Sequence, residues 1–285
     1  MGSAKVNREL HRFDPRYLLG HSEEEELRLR RQGDELWEDS ARFFDRTGVT
    51  AGGRAIDLGC RPRGLLDLLS ERIGPTGQVI GIERNHESVA GAKRFVADRA
   101  LNNVTVIQGD ASATGLPGDS FDLVHARLLL VNIPNVEAVV REMLRLARPG
   151  GVVASHEADY ASHFCDPPLG AWNRLFEVFE TYRRNNGIDP FIGRRTHRLF
   201  RDAGLIDVEV NPLIHVYPYG HTRRAIFWQF LQNVRDRILE QDLITEEEFS
   251  ELTGQLQEHL RRPDTLVVSH LFFQVWGRKP AVEGV

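Results

Sequence analysis

The chain has 285 residues, 41% hydrophobic and 27% charged, which suits one large domain or one domain with a substantial appendage and excludes a disordered, fibrous or disulfide-scaffold protein. The net charge is -5, and the pairs Arg30-Arg31, Arg183-Arg184, Arg194-Arg195, Arg223-Arg224 and Arg261-Arg262 are scattered, so they read as solvated helix faces and no nucleic-acid partner is expected. Cys60 and Cys165 form no CxxC pair and suit a reducing cytoplasm, Met1 to Leu10 hold no apolar core for a secretory signal, and no stretch is long and apolar enough for a membrane span.

Residues 1 to about 21 look irregular, with a turn at Asp14-Pro15. Ser22 followed by Glu23 to Glu26 predicts a helix start, a capping hydroxyl ahead of acids in the first turn. Leu29, Leu36 and Phe43, with Trp37 and Phe44 beside them, continue an amphipathic helix until the glycines of Gly48 to Gly53. Short apolar strands and helices then alternate. The strands are Ala55–Leu58, Gln78–Glu83, Val104–Ile107, Phe121–His125 and Val152–His156, and the breaks include Gly74-Pro75 and Pro149-Gly150-Gly151. That rhythm means parallel βαβ units with right-handed crossovers, a doubly wound α/β sheet with helices on both faces. Beyond Asp159 helices are predicted over 169–186 and 194–203, then a strand from Ile206 to Tyr217. Phe227, Leu231, Val234 and Ile238 follow at helical spacing, as do Phe249, Leu252, Leu256 and Leu260 behind a Thr245-Glu248 capping box. Thr265 to Trp276 closes the pattern as a long apolar strand.

Open α/β sheets bind ligands beyond the carboxyl ends of their strands. The first strand ends in Asp57-Leu58-Gly59-Cys60-Arg61-Pro62-Arg63-Gly64, where glycine permits a tight turn and close approach of a ligand to the backbone. The second ends in Glu83, about 20 residues beyond that loop, where an acid usually grips a ribose diol. The third leads to Gly109-Asp110-Ala111, whose carboxylate can accept from an exocyclic amine.

These residues, in this order, resemble class I S-adenosylmethionine-dependent methyltransferases, in particular the UbiE-like small-molecule branch. The resemblance is carried by Ala55 to Gly64, Gly77 to Glu83, Gln108 to Ala111, Phe121 to Val124 and Leu146 to Gly151, with weaker likeness at Leu19 to Ser22 and Arg28 to Gln32. It implies a seven-stranded Rossmann-like sheet of order 3-2-1-4-5-7-6 with helical lid segments, and S-adenosylmethionine as cofactor. It divides the chain into an amino-terminal helical cap (1–50), a cofactor-binding core (51–160), lid helices with the sixth strand (161–221), an inserted helical lid (222–263) and the last strand with a tail (264–285). The cofactor contacts it implies are Gln32, Asp57, Gly59, Cys60, Arg61, Gly64, Glu83, Arg84, Asp110, Ala111 and Arg127. Gln32 falls near the cofactor carboxylate, and Ala126 to Leu130 face its methionine end. Arg127 either binds that carboxylate or pairs with an acid.

Arg61 departs from the pattern, which has glycine there. A cation about 4 Å from the sulfonium costs on the order of 4 kcal/mol at an effective dielectric near 20. Three readings stay open: Arg61 turns outward or pairs with the cofactor carboxylate, it weakens binding, or it marks a fold repurposed as a lyase, pericyclase or ligand-binding protein. A nicotinamide dehydrogenase is disfavoured because the loop lacks GxGxxG.

The reaction expected is methylation of a small, partly apolar molecule at O, N or C. The fifth strand runs into His156-Glu157-Ala158-Asp159-Tyr160, with His163 just beyond. Asp159 and His163 are the candidate catalytic residues, one of them a base. The competing reading makes Asp159 a loop cap and His163 a surface histidine. His215 and Tyr217 stand similarly after the sixth strand, and Phe164, Trp172, Phe176, Phe179 and Tyr182 line either an apolar pocket or plain core. No histidine spacing suggests a metal. An amino-terminal helix exchanged between subunits makes a homodimer plausible.

Overall fold

The computed structural model describes residues 33–281, so the predicted Ser22 cap, Leu29 and Gln32 lie outside the described residues. Helix α1 (Trp37–Thr47) turns Ser40, Phe43, Phe44 and Thr47 inward and stops at Gly48, whose left-handed φ of 68° ends the helix. The βαβ series follows as β1 (Arg54–Leu58), α2 (Leu66–Ile73), β2 (Gln78–Glu83), α3 (His86–Asp98), β3 (Val104–Gln108), β4 (Phe121–Arg127), α4 (Val136–Leu146) and β5 (Ala147–Asp159). Strands β1 to β5 pair in parallel. They are mostly apolar in their central residues because helices cover both faces. One face buries Phe43, Phe44, Leu66, Leu69 and Val89 from α1, α2 and α3. The other buries Val136, Val140, Ile192 and Phe200 from α4 and α6 (Ile192–Asp202).

The sheet is completed by β7 (Ile206–Leu213) and β10 (Leu271–Arg278), giving the order β3-β2-β1-β4-β5-β10-β7, which is the expected seven-strand arrangement. Strand β10 runs antiparallel to both neighbours. The two long carboxy-terminal strands predicted from sequence each break in two. Beyond the breaks, β8 (Val216–Tyr217) and β9 (Leu266–Val268) join β6 (Phe164–Asp166) in a second, three-stranded sheet. The break is fastened where Ser269 N–H donates to the His215 carbonyl at 2.8 Å and His215 N–H donates to Ser269 Oγ at 2.9 Å.

The remaining helices, α5 (Gly170–Asn185), α7 (Ile226–Glu240) and α8 (Glu246–Arg261), pack against one another. Thr245 caps α8 as the sequence implies, accepting from Glu248 N–H at 3.1 Å. The arginine pairs are not uniformly solvated: Arg183 is 0% exposed, and Arg223 and Arg224 are each 4% exposed. Arg224 donates to the carbonyls of Leu260 (2.7 Å) and Arg262 (2.6 Å), and to that of Thr265. These carbonyls belong to the end of α8 and the segment leading to β9, so the buried guanidinium replaces water for groups the helix leaves unpaired. Arg183 donates to the Val131 carbonyl and lies over the rings of Tyr160 and Phe179.

Candidate active site

The glycine loop is built from backbone contacts. Gly59 has a φ of 73° and its N–H donates to the Ile82 carbonyl at 2.8 Å; Cys60 N–H meets the same carbonyl at 3.0 Å. Gly64 has a φ of 56°, and a Cβ there would sit 2.3 Å from the Cys60 carbonyl oxygen and 2.9 Å from Asp57 Oδ2, so only glycine fits. Arg61 occupies the left-handed region too, at a φ of 50°, and its N–H donates to Glu83 Oε2 at 3.1 Å. The conformation that favours glycine is therefore retained with an arginine in it.

Beyond this loop lies a cavity of about 450 Å³, lined among others by Gly59, Arg61, Glu83, Arg84, Asp110 and Ala111. Leu128, Leu129, Ile133 and Val139 form an apolar wall of the same cavity, with the polar Asn132 beside them. Glu83 also accepts from the N–H groups of Arg84 (2.7 Å) and Asn85 (2.8 Å), so one carboxylate joins the end of β2 to the loop after β1. Asp110 Oδ1 accepts from Ser112 N–H at 2.8 Å and from its hydroxyl at 2.6 Å, which fixes the carboxylate at the end of β3.

The other expected contacts stand behind the cavity and do not line it. The Cys60 side chain is buried below Gly81, where an added Cβ would come within 2.8 Å of Sγ, and burial pushes its thiol up. Asp57 is buried and its Oδ1 lies 2.8 Å from His125 Nδ1. Arg127 donates to Ser40 Oγ at 3.1 Å and to the Gly64 carbonyl at 3.4 Å, tying α1 to the glycine loop; burial pulls its guanidinium down to about 10.

Two acids of β5 hold neighbouring backbone, Glu157 in a role the sequence reading did not assign and Asp159 in part as the loop cap of the competing reading. Glu157, fully buried, accepts from the N–H groups of Leu129 (3.3 Å), Leu130 (3.1 Å) and Val131 (3.1 Å), and from Ser155 Oγ (2.9 Å). It thereby holds the apolar wall after β4, and burial pushes its carboxyl up to about 7. Asp159 is 0% exposed and receives Arg194 in a bidentate pair at 2.5 and 2.7 Å, together with the N–H of Ala161 at 3.2 Å. The expectation that its carboxylate faces the reaction mouth needs correction: both oxygens are committed to clamping α6 and the turn after β5. His163 is not a surface histidine either. Its ring packs 4.8 Å from Trp172, 5.6 Å from Phe227 and 5.5 Å from His270, and burial, with Arg223 nearby, pulls it down to about 3. Neither ring nitrogen has a hydrogen-bond partner among the described residues. Trp172, Phe179 and Tyr182 are buried core, Phe176 packs at its edge, and Phe164 is exposed.

Residues 50–203 match the methyltransferase domain family. The chain belongs to that family. It is 31% identical over 189 residues to the demethylmenaquinone methyltransferase of Geobacillus kaustophilus (strain HTA426), covering 61% of this chain and 78% of that protein. The demethylmenaquinone methyltransferase of Lactococcus lactis subsp. lactis (strain IL1403) is 31% identical over 160 residues, covering 56% of this chain and 58% of the relative. Among solved structures, a putative methyltransferase from Bacillus halodurans superposes with a TM-score of 0.58 at 15% identity, covering 86% of this chain and 100% of that one. Phosphoethanolamine N-methyltransferase 2 of Haemonchus contortus, solved with phosphomonomethylethanolamine and S-adenosylhomocysteine, gives 0.56 at 19% identity, covering 86% of this chain. This chain spans about half of that one, 53%.

The protein is an S-adenosylmethionine-dependent methyltransferase, and its cavity suits that cofactor. Carboxylates at the ends of β2 and β3 offer acceptors for hydroxyl and amine groups, and Gly59 and Gly109 keep the rim clear of side chains. The methyltransferase lines the remaining wall with Ala111, Ile133 and Val139, which suit a flat ring. Sequence pattern marked the residues at strand ends. It missed Asn132, Ile133 and Val139, whose only signal was their place after β4.

Proposed function

We propose that this methyltransferase carries the methyl group of S-adenosylmethionine to a small, partly apolar acceptor enclosed beneath α5, α7 and α8. Glu83 would receive the ribose hydroxyls, Asp110 the adenine amine, and the loop from Gly59 to Gly64 the amino-acid portion. The cofactor supplies an electrophilic methyl carbon. The chain's part is to align an acceptor lone pair with it and to exclude water.

The observation that carries the acceptor reading is the ring of buried polar side chains above β5, set in aromatic walls. His163 and His270 are buried, both ring nitrogens of His163 and Nδ1 of His270 lack partners among the described residues, and Tyr160 packs 4.8 Å from His270. Buried polar atoms are almost always hydrogen-bonded in folded proteins, so such a set suits a ligand with a few polar atoms on an apolar body. A macromolecular acceptor would need an open approach, and this ring is closed by Trp172 and Phe227. Asp159 positions α6, and His163, neutral through the physiological range, is an acceptor of hydrogen bonds.

Relatives named for demethylmenaquinone make quinone-like compounds the first acceptors to try. The protein is incubated with methyl-labelled S-adenosylmethionine and either such compounds or a metabolite extract. Label in organic-extractable small molecules is expected; label confined to protein or nucleic acid refutes the reading.

A further inference from the structure

Arg223 belongs to the short turn Thr222–Ala225 that leads into α7, and its side chain runs inward. Its guanidinium lies over two rings, 5.6 Å from the centroid of Tyr217 and 5.7 Å from that of Phe272. The acid paired with it is Glu35, at 3.4 Å from Nε, and that carboxylate also takes the hydroxyl of Thr222. Nη2 and Nε have no hydrogen-bond partner among the described residues. Arg224, one residue on, shows what the fold does with a structural guanidinium: its donors end on the backbone carbonyls of Tyr217, Leu260, Arg262 and Thr265. Arg223 is equally buried without such an arrangement. Glu35 and the two ring faces compensate part of its charge, and the donors left without a hydrogen-bond partner suit a carboxylate or another anionic oxygen.

Its surroundings are chosen for the same ligand. His163 and His270, the latter 4.4 Å from Phe272, are kept neutral by burial and by the positive field of Arg223. They present lone pairs and N–H groups but no competing charge. Phe272, Tyr217, Phe227 and Trp172 give flat apolar surfaces at ring-stacking separations from these groups.

We infer that Arg223 is the acceptor-recognition residue of this methyltransferase, and that the acceptor is an aromatic or conjugated molecule bearing an anionic oxygen, as a carboxylate or an ionised hydroxyl. The inference rests on the methyl-transfer reading, and it specifies which chemistry fills the lidded ring of histidines. Arg223 is a binding residue here; no proton passes through it.

The test uses the full chain saturated with S-adenosylhomocysteine, and two matched probes, 2-naphthoate and the neutral 2-naphthamide. Binding is followed by titration calorimetry and by tryptophan fluorescence, since Trp172 borders His163. The acid is expected to bind more tightly than the amide by about tenfold to a hundredfold, the range supplied by hydrogen bonds to a charged donor. Arg223→Gln should erase that preference, Arg223→Lys should retain part of it, and all three proteins should bind S-adenosylhomocysteine alike. A second acid, 2-naphthol at a pH above its ionisation, separates carboxylate from phenolate recognition. Equal binding of acid and amide by the wild-type protein overturns the inference. So does a preference that survives Arg223→Gln, or binding of none of the probes by protein that holds S-adenosylhomocysteine. The wild-type comparison stands even where Arg223→Gln does not fold. Failure of the wild-type chain to bind S-adenosylhomocysteine would strike the methyl-transfer reading instead, leaving acid against amide to decide this one.

Discussion

Arg61 and Gly64 share a backbone conformation but differ in the space around them, and substitution should separate the two effects. At a φ of 50°, Arg61 pays the left-handed penalty of a residue with a Cβ, about 1–2 kcal/mol. Glycine avoids that penalty but loses roughly 0.5–1 kcal/mol more chain entropy on folding. Arg61→Gly is therefore expected to raise stability by about 0–1.5 kcal/mol, and Arg61→Ala, which keeps the strain, to leave it near wild type. Gly64→Ala meets both problems, because its φ is 56° and its Cβ would lie 2.3 Å from a backbone oxygen that cannot swing away. Strain and overpacking together should cost about 2–5 kcal/mol. Urea unfolding followed by tryptophan fluorescence gives these differences, and calorimetry with S-adenosylhomocysteine gives the consequence for the cofactor. Both Arg61 variants keep the N–H that donates to Glu83 Oε2. A change in affinity common to both therefore belongs to the side chain, and a difference between them to the backbone. The reasoning is refuted if Arg61→Gly unfolds at clearly lower urea than wild type, or if Gly64→Ala is as stable as Arg61→Ala.

Four further outcomes follow from the site. Glu157→Gln replaces an acceptor of three backbone N–H groups by an amide that can satisfy them only in part. At about pH 8, where the carboxyl is ionised, it should cost about 2–4 kcal/mol and weaken S-adenosylhomocysteine, since Leu128 and Leu129 line the cavity; unchanged affinity would break that link. Asp159→Asn loosens a pair whose arginine side chain is 51% exposed, so a loss of about 2–3 kcal/mol is expected, below the range for a wholly buried pair; a thousandfold fall in kcat with unchanged stability would restore Asp159 as the catalytic residue. Glu83→Gln should weaken S-adenosylhomocysteine about tenfold, read by calorimetry. For pH, His156, His163 and His270 all have folded values pulled below the ordinary 6.5 by burial. Their contribution is complete above 6.5 and is lost as the unfolded chain takes up protons below it, about 1.4 kcal/mol per pH unit for each. Glu157, raised from 4.5 to about 7, runs the other way between those values but is one group against three. Urea midpoints should therefore fall between about pH 7 and about pH 5; a rise would show that the histidines are not buried and neutral.

The residues legible in the sequence were those whose placement is set locally. A carboxylate one step beyond a buried parallel strand has few places to go, and Glu83 and Asp110 both reach the cavity. The strand order was legible only through the family resemblance: alternating units with right-handed crossovers give a doubly wound sheet but do not by themselves place the last two strands. The tighter lesson is in β5. Ser155, Glu157 and Asp159 alternate onto one face, as pleating demands. That face is covered by helices, since Glu157 meets the turn after β4 and Asp159 meets Arg194 of α6. His156 takes the opposite face and packs on Phe43 and Phe272. Applied strictly, period two would have assigned Asp159 to the clamp. The lid was harder for a physical reason that no local pattern repairs. What distinguishes Arg224 from Arg223 is whether carbonyls some 40 residues downstream, at Leu260 and Thr265, come within reach. The two strands break nearby, at His215 and Ser269, where one backbone bond and one hydroxyl replace the ladder. A pair of adjacent arginines is the same in sequence whether one anchors a helix end and the other waits for a ligand, and only the tertiary supply of acceptors tells them apart.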